Sequence, residues 1–188
     1  MPKKIIILVS GGGSNAASII TYFASKTAVQ VHSILCNRAG AGVFAKGADL
    51  GVPVHLFEAA NPQELIAYAE EHQPDLIVLA GYLKKIPVAL IDQFPNRIIN
   101  IHPALLPKYG GKGMYGMHVH RAVKTAEEKE SGMTIHYVNE QYDEGNIIRQ
   151  ERVALSADDG PQEIAQKVLA LEHRFYPQVI EQLLTQYG

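Results

Sequence analysis

The segment from Asn100 to His120 concentrates side chains that can do acid–base chemistry. Asn100 and His102 are separated by one residue, so on a β-strand both side chains point to the same face. An amide N–H and an imidazole that converge on one point can stabilise a developing oxyanion and move a proton. Alternatively, Asn100 caps its own turn and His102 is a surface residue, and the spacing leaves both interpretations open.

Asp143 is the carboxylate that could complete such a pair. It lies in the turn from Tyr142 to Gly145, where aspartate is a common turn residue. If the fold brings Asp143 beside His102, the carboxylate would orient the imidazole and favour its protonated form. The positions along the chain do not show whether the two side chains meet.

A glycine-rich run near the N-terminus could bind an anion. Gly11 to Gly13, followed by Ser14 and Asn15, stands between an apolar β-branched run and a helical pattern. N–H groups at the start of a helix favour negative charge, and glycines let a ligand approach the backbone closely, so phosphate is the natural ligand. The run is neither GxGxxG nor a P-loop, and a tight turn with Ser14 or Asn15 as a helix cap explains it equally well.

His118 and His120 form an HxH pair that could bind zinc together with His102 or His136. They could instead cap a helix or support the site as hydrogen-bond donors. Neither paired cysteines nor a carboxylate cluster accompanies them, so we expect no metal.

The composition excludes several classes of protein. The 188 residues fit one domain, and 47% of them are apolar, which is enough for a sizeable core. A net charge of −2 gives no basic surface for nucleic acid, and apolar runs such as 5–9 are too short to cross a membrane. The sequence has no signal-peptide pattern, and its single cysteine, Cys36, cannot form an internal disulfide. We therefore expect a cytoplasmic single domain over 1–188 that binds neither nucleic acid nor membranes.

Strand and helix patterns alternate through residues 1–100. The predicted strands are 4–10, 29–36, 52–57, 75–80 and 98–101, and the predicted helices between them are 16–23, 43–50, 61–72 and 86–94. A helix at 119–129, two strands at 133–138 and 146–153, and a helical segment at 161–186 interrupted at Pro177 follow. The predicted fold is α/β: a single Rossmann-like, doubly wound, mostly parallel sheet with an antiparallel C-terminal addition and helices on both faces.

Three candidate site segments follow predicted strands. The glycine run follows the first strand and Gly81 follows the fourth, while Asn100 and His102 stand at the end of the fifth. Open α/β sheets bind ligands beyond the carboxyl ends of their strands, where the strand order reverses. We therefore expect the three segments to meet at one edge of the sheet and to form the site.

Together, these motifs resemble the phosphoribosylglycinamide formyltransferases, a family of folate-dependent enzymes. The resemblance is carried by the Gly-Ser-Asn loop and by the stretches LAGYLKKIP, NIHPALLPKYGG, HVHRAV, MTIHYVNEQYDEGNII and EHRFYP, in order from Ile5 to about Pro177. The combination of Asn-x-His-Pro-x-Leu-Leu-Pro with a later Asp-x-Gly is highly specific to folate-dependent formyl transfer.

The resemblance implies that the amine of glycinamide ribonucleotide attacks the formyl carbon of 10-formyltetrahydrofolate in de novo purine synthesis. It implies that Asn100 and His102, the latter as imidazolium, stabilise the tetrahedral intermediate. Asp143 would raise the pKa of His102 above its free value of about 6.5 and assist proton transfer. In this frame the protein is a monomer or a homodimer.

The resemblance also implies two halves of the chain and two sets of binding residues, each set drawn from both halves. Residues 1–100 would supply the ribonucleotide and phosphate half, and residues 101–188 the catalytic loop, the folate-contacting turn and the C-terminal helices. The ribonucleotide would contact Gly12, Gly13, Ser14, Asn15, Lys84, Tyr109, Gly110, His118 and Glu172. The folate would contact Leu83, Lys84, Ile86, Val138, Glu140, Tyr142 and Asp143.

The sequence departs from the family pattern in a few places, and related functions remain as alternatives. Many members have Met-Arg where this chain has Leu83-Lys84, and lysine lacks the planar fork of arginine. The glycines of 110–116 suggest a flap over the ribonucleotide. The alternatives are another folate-dependent formyltransferase such as the methionyl-tRNA enzyme, formyltetrahydrofolate deformylase, a catalytically silent nucleotide-binding module, and a zinc hydrolase.

Overall fold

The computed structural model describes residues 1–186, which form a single mixed sheet covered by helices. Within this range the strands are β1 Lys3–Val9, β2 Val29–Cys36, β3 Val54–Leu56, β4 Leu76–Leu79, β5 Ile98–His102, β6 Glu130–Tyr137 and β7 Ile147–Ala154. The order across the sheet is β3-β2-β1-β4-β5-β6-β7. The strands from β1 to β5 pair in parallel because a crossover connects each one to the next, whereas β6 pairs antiparallel with both β5 and β7. The predicted fold class is confirmed.

The helices are α1 Ser14–Phe23, α2 Val43–Asp49, α3 Pro62–His72, α4 Val88–Gln93, α5 Met117–Thr125 and α6 Pro161–Gln186. Successive residues of β1 face opposite sides of the sheet, so Ile5 and Ile7 enter one core while Ile6 and Leu8 enter the other. The first core contains buried residues of α1, α5 and α6, and the second contains those of α3 and α4. Burial on both faces explains why β1 is a continuous apolar run.

Several predicted boundaries are wrong by a few residues, and local features explain the differences. The third strand is limited to β3 because this edge strand pairs only with β2. Pro87 occupies the N-cap of α4, so that helix begins later than predicted. At the C-terminus of α5, Glu127 has a left-handed φ of 51°, which ends the helix before the predicted limit. The strand β6 begins earlier than predicted because Glu130 already pairs with Ala154.

The predicted interruption at Pro177 is also wrong, because α6 continues through the proline. Proline lacks the N–H that would bond to the carbonyl four residues earlier, here the carbonyl of His173. The Ser18 hydroxyl of α1 donates to this carbonyl at 3.1 Å. A hydrogen bond from a neighbouring helix therefore replaces the bond that the proline removes.

A membrane-spanning helix is not found among residues 1–186, where no helix combines the length and the apolar character that a bilayer requires.

Candidate functional site

A cleft of about 510 Å³ lies beyond the carboxyl ends of β1, β4 and β5. The strand order reverses between β1 and β4, because β2 and β3 lie on one side of β1, and β4 and β5 on the other. Open α/β sheets bind ligands at such a position. Asn15, Gly81 and His102 all line the cleft. The three segments that were predicted to share one edge therefore do meet.

The predicted site residues divide into two groups by position. Those that line the cleft are Asn15, Leu83, Lys84, Ile86, Asn100, His102, Val138, Tyr142, Asp143 and Glu172. Those that do not line it are Gly12, Gly13, Ser14, Tyr109, Gly110, His118 and Glu140.

Asn100, His102 and Asp143 converge at one place in the cleft. The Asn100 Nδ2 lies 3.5 Å from Asp143 Oδ1, and the His102 Nδ1 lies 3.5 Å from Asp143 Oδ2. Asn100 and His102 come from β5, and Asp143 comes from the turn between β6 and β7. The cleft thus contains an amide donor, an imidazole and a carboxylate around one point.

The pairing of β5 with β6 adds His136, which stands directly opposite Asn100 in the antiparallel register. The His136 Nδ1 lies 2.8 Å from the Tyr137 carbonyl, which can only accept, so this nitrogen carries the hydrogen. The His136 Nε2 is then the acceptor for the Asn100 amide at 3.1 Å. One N–H of Asn100 is therefore engaged by His136, while the other has only the long contact with Asp143.

The loop after β5 orients both His102 and Asp143. The His102 Nε2 donates to the Tyr109 carbonyl at 2.7 Å, since a carbonyl can only accept. The Gly111 N–H donates to Asp143 Oδ2 at 2.9 Å. Tyr109 therefore acts at the site from outside the cleft wall, whereas Tyr109 and Gly110 were predicted to contact the ribonucleotide.

The sequence prediction that the pKa of His102 lies above its free value is wrong for this structure. Burial lowers the pKa of His102, and this effect outweighs the opposing influence of Asp143 and the Tyr109 carbonyl. Burial also acts to raise the pKa of Asp143, but the His136 ring 3.6 Å away, His102 and the Gly111 N–H together hold that pKa below its ordinary value. At neutral pH the pair therefore consists of a neutral imidazole and a carboxylate.

The glycine run makes a tight, uncapped entry to α1. Gly13 has a left-handed φ of 69°, and a Cβ there would lie 2.5 Å from Val43 Cγ2, so only glycine fits. No side chain caps the N-terminus of α1, so the alternative in which Ser14 or Asn15 is a simple helix cap is wrong. The Lys46 ammonium donates to the Gly12 carbonyl at 2.5 Å, which places a cation against this loop.

Asn15 and Glu172 join α1 and α6 at the wall of the cleft. The Asn15 Nδ2 donates to Glu172 Oε2 at 2.6 Å, and the Asn15 Oδ1 is buried without a hydrogen-bond partner in the described residues. Burial raises the pKa of Glu172 to about 7, with the Asn15 hydrogen bond opposing the shift. This wall therefore offers an amide oxygen and a carboxyl group that is partly protonated at neutral pH.

A second part of the cleft is apolar and accessible. Leu83 is 47% exposed and Tyr142 is 40% exposed, and both line the cleft. The Leu83 N–H donates to Ser10 Oγ at 3.0 Å, which fixes this turn to the end of β1. Because both exposed apolar side chains line the cleft, this part of it suits an apolar ligand.

The histidines of α5 differ in environment. His118 is exposed and packs edge-on against Tyr115. His120 is buried, lines the cleft and has no partner for its Nδ1 in the described residues; burial lowers its pKa, and His102 adds to the shift. Across the described part of the chain, no cluster of three or more His, Cys, Asp or Glu side chains is arranged to hold a metal ion.

Comparison with known proteins identifies the family. Residues 3–180 match the sequence model of the family described as "Formyl transferase". The chain belongs to the formyl transferase family.

Two similar proteins are both named phosphoribosylglycinamide formyltransferase. The chain is 42% identical over 187 residues to the chloroplastic phosphoribosylglycinamide formyltransferase of Arabidopsis thaliana, with 95% of this chain and 64% of the relative covered. It is 33% identical over 185 residues to the phosphoribosylglycinamide formyltransferase of Escherichia coli (strain K12), covering 94% of this chain and 85% of the relative. The chain thus spans less than two thirds of the plant relative but most of the bacterial one.

Solved structures of formyl transferases share the fold. The phosphoribosylglycinamide formyltransferase structure from Anaplasma phagocytophilum has a TM-score of 0.90 at 28% identity and covers 99% of this chain and 89% of that chain. The structure from Bacillus halodurans has a TM-score of 0.89 at 32% identity, with 99% and 97% covered.

The structure of this formyl transferase adds residues that the sequence pattern did not select for the site. Lys46 lies on α2, and only the three-dimensional packing of α2 against the glycine loop brings it there. Tyr82, Lys85 and Gly111 line the cleft or orient its residues. Tyr82 and Lys85 flank Leu83 and Lys84 in the sequence, and this position alone could have indicated that they belong to the site.

Proposed function

We propose that the chain transfers the formyl group of 10-formyltetrahydrofolate to the amine of glycinamide ribonucleotide, a step of de novo purine biosynthesis. The observation that carries this proposal is the convergence of Asn100, His102 and Asp143 in a cleft of a formyl transferase. Named relatives with this activity cover most of the chain, which supports the same choice of substrates.

The glycine loop beside the cleft and the cleft itself suit the two substrates. The uncapped α1 N-terminus, with the Lys46 ammonium beside it, suits the phosphate of the ribonucleotide. Asn15 and Glu172 offer hydrogen-bond partners for the adjoining sugar. The accessible apolar side chains Leu83 and Tyr142 suit the planar ring of the folate. The segment 110–116 would act as a flap over the ribonucleotide, since Gly111, Gly113 and Met114 to Gly116 line the cleft.

The proposed chemistry starts with a neutral His102. The substrate amine attacks the formyl carbon, and the carbonyl oxygen becomes an oxyanion that accepts the Asn100 N–H whose other contact is the long one with Asp143. Negative charge beside His102 raises its pKa, so the imidazole takes the proton that the attacking nitrogen loses. Asp143, 3.5 Å from the His102 Nδ1, stabilises the imidazolium. The bond between the formyl carbon and the folate nitrogen then breaks, and that nitrogen receives the proton.

The test is formyl transfer from 10-formyltetrahydrofolate to glycinamide ribonucleotide by the wild type and by Asn100→Ala and His102→Ala. We expect transfer by the wild type, and a loss of about a hundredfold to a thousandfold in kcat for Asn100→Ala because one oxyanion donor is removed. Folate binding without transfer to this amine would contradict the substrate and favour a sister formyltransferase. Release of formate without any amine would favour a deformylase.

We also place the reaction in the cytoplasm. This proposal rests on the sequence features already described, whereas the plant relative named above is chloroplastic.

A further inference from the structure

One short segment holds both ionisable members of the candidate catalytic group. The Tyr109 carbonyl accepts from His102 Nε2 at 2.7 Å, and the Gly111 N–H donates to Asp143 Oδ2 at 2.9 Å. A Cβ on the intervening Gly110 would lie 2.6 Å from Leu106 Cδ2 and 3.3 Å from Asp143 Cβ. The backbone of 109–111 is therefore wedged against the site, and its position sets the distance between the imidazole and the carboxylate.

The conformation of Tyr109 needs support from elsewhere. Its φ is 57°, in the left-handed region that a residue with a large side chain rarely adopts. Strained backbone of this kind persists only where surrounding contacts over-determine it. The contact with His102 is one such support, and a second must act on the tyrosine side chain.

Glu128 supplies the second support. The Tyr109 hydroxyl donates to Glu128 Oε1 at 2.9 Å, and the Lys108 ammonium donates to the same oxygen at 2.7 Å. The backbone of Glu128 is tied to the end of α5, because its N–H donates to the Val123 carbonyl at 3.3 Å. The carboxylate thus connects the strained residue to a helix.

This support acts from behind the site. Tyr109 and Glu128 line a separate cleft of about 330 Å³, together with Glu130, Arg152 and residues of the 105–108 segment. Neither Tyr109 nor Glu128 lines the main cleft. Substituting Glu128 therefore leaves the substrate-facing surface unchanged, and any effect on catalysis must pass through its two partners, Tyr109 and the adjoining Lys108.

We propose that Glu128 is a positioning residue for formyl transfer, which fixes the Tyr109–Gly111 segment and thereby sets the geometry of His102 and Asp143. This inference rests on the proposed function for its kinetic consequence, but its effect on His102 is independent of the substrates.

The test compares Glu128→Ala, Glu128→Gln, Tyr109→Phe and the double variant Tyr109→Phe/Glu128→Ala with the wild type. We expect Glu128→Ala and Tyr109→Phe each to lower kcat about tenfold to a hundredfold, as small misplacements of catalytic groups do, with KM for glycinamide ribonucleotide within about twofold. Glu128→Gln retains an acceptor oxygen for the hydroxyl and is expected to keep most of the activity. The double variant is expected to be no slower than the slower single one, because both changes break the same contact.

A second measurement does not depend on turnover. The hydrogen bond to the Tyr109 carbonyl raises the pKa of His102, so weakening this bond by Glu128→Ala should lower that pKa further. The pKa is measured by NMR titration of the His102 ring, whose signals are assigned by comparison with His102→Gln. The matched control is Glu130→Ala. Glu130 is an exposed carboxylate in the same small cleft, and it pairs with Arg152 and not with Tyr109.

The outcomes separate the two proposals. A changed His102 titration in Glu128→Ala, absent in Glu130→Ala, supports the positioning role even if no formyl transfer is detected, in which case only the proposed function fails. Unchanged kcat and an unchanged His102 titration in Glu128→Ala would overturn the positioning role, whatever happens to thermal stability.

Discussion

Asp143→Asn is the most informative single substitution at the candidate site. Asparagine has nearly the same shape as aspartate and keeps an oxygen that can accept the Gly111 N–H, so the loop can retain its place. What disappears is the negative charge 3.5 Å from the His102 Nδ1. The variant therefore tests the charge rather than the fold.

The expected loss follows from this distance. With an effective dielectric constant of about 20, two unit charges 3.5 Å apart attract by about 332/(20 × 3.5), or about 4.7 kcal/mol. Each 1.36 kcal/mol is tenfold in rate, so about three and a half powers of ten is the upper limit for stabilisation of the imidazolium. Solvent and the retained hydrogen bonds reduce the effect, and we expect kcat to fall about a hundredfold to a thousandfold.

The assay is single-turnover formyl transfer followed by the absorbance of the folate, at several pH values. The control is Asp158→Asn, which removes an exposed carboxylate outside the cleft and should leave the rate unchanged. Burial and the neighbouring His136 lower the pKa of His102 while Asp143 raises it, so this pKa should fall further in Asp143→Asn. A kcat within about threefold of wild type would refute the charge argument, because it leaves less than about 0.7 kcal/mol for it.

Three further outcomes are expected. Because the pKa of Glu172 is about 7 rather than 4.5, the native state binds more protons than the unfolded state between these values, and wild-type stability falls as pH rises. In urea titrations, the unfolding free energy of Glu172→Gln minus that of wild type should therefore increase by about 3 kcal/mol from pH 4.5 to pH 8. A difference that does not change with pH would contradict the raised pKa of Glu172. Ser18→Ala should lower the unfolding free energy by about 1 kcal/mol by leaving the His173 carbonyl unpaired, and an unchanged urea midpoint would contradict this role. Lys46→Ala should raise KM for glycinamide ribonucleotide about tenfold with little change in kcat. Lys46→Arg keeps the positive charge and serves as the matched comparison. If the wild type has equal KM values for the phosphorylated substrate and for its riboside analogue, the phosphate contact is contradicted.

The fold class could be predicted from the sequence because strong periodic patterns of apolar residues are bounded by glycines and prolines that mark turns. The β1 run and the Gly13 turn needed little tertiary information, since the run is apolar on both faces and the turn demands a left-handed residue. The convergence of Asn100 with His102 followed from their positions on one strand. That Asp143 joins them came only from the family resemblance, because a turn between two strands has no local signal for its partner.

The failures at the site and at Pro177 have a common physical origin in long-range contacts. The pKa of His102 depends on burial by distant elements, which a sequence pattern does not reveal. The continuity of α6 through Pro177 depends on a hydroxyl from α1, and the place of Lys46 depends on how α2 packs against the glycine loop. Each of these features joins residues that are far apart along the chain.

The contacts between α1 and α6 have a consequence for how the protein is made. Ser18 bonds to His173 across 155 residues of sequence, and Asn15 bonds to Glu172 across 157. The α1 residues leave the ribosome early, yet their partners on α6 emerge only after nearly all of the described chain has been synthesised. Since long-range contacts of this kind form slowly, a nascent chain would carry an unfinished wall of the cleft through most of its translation and complete it only when α6 docks.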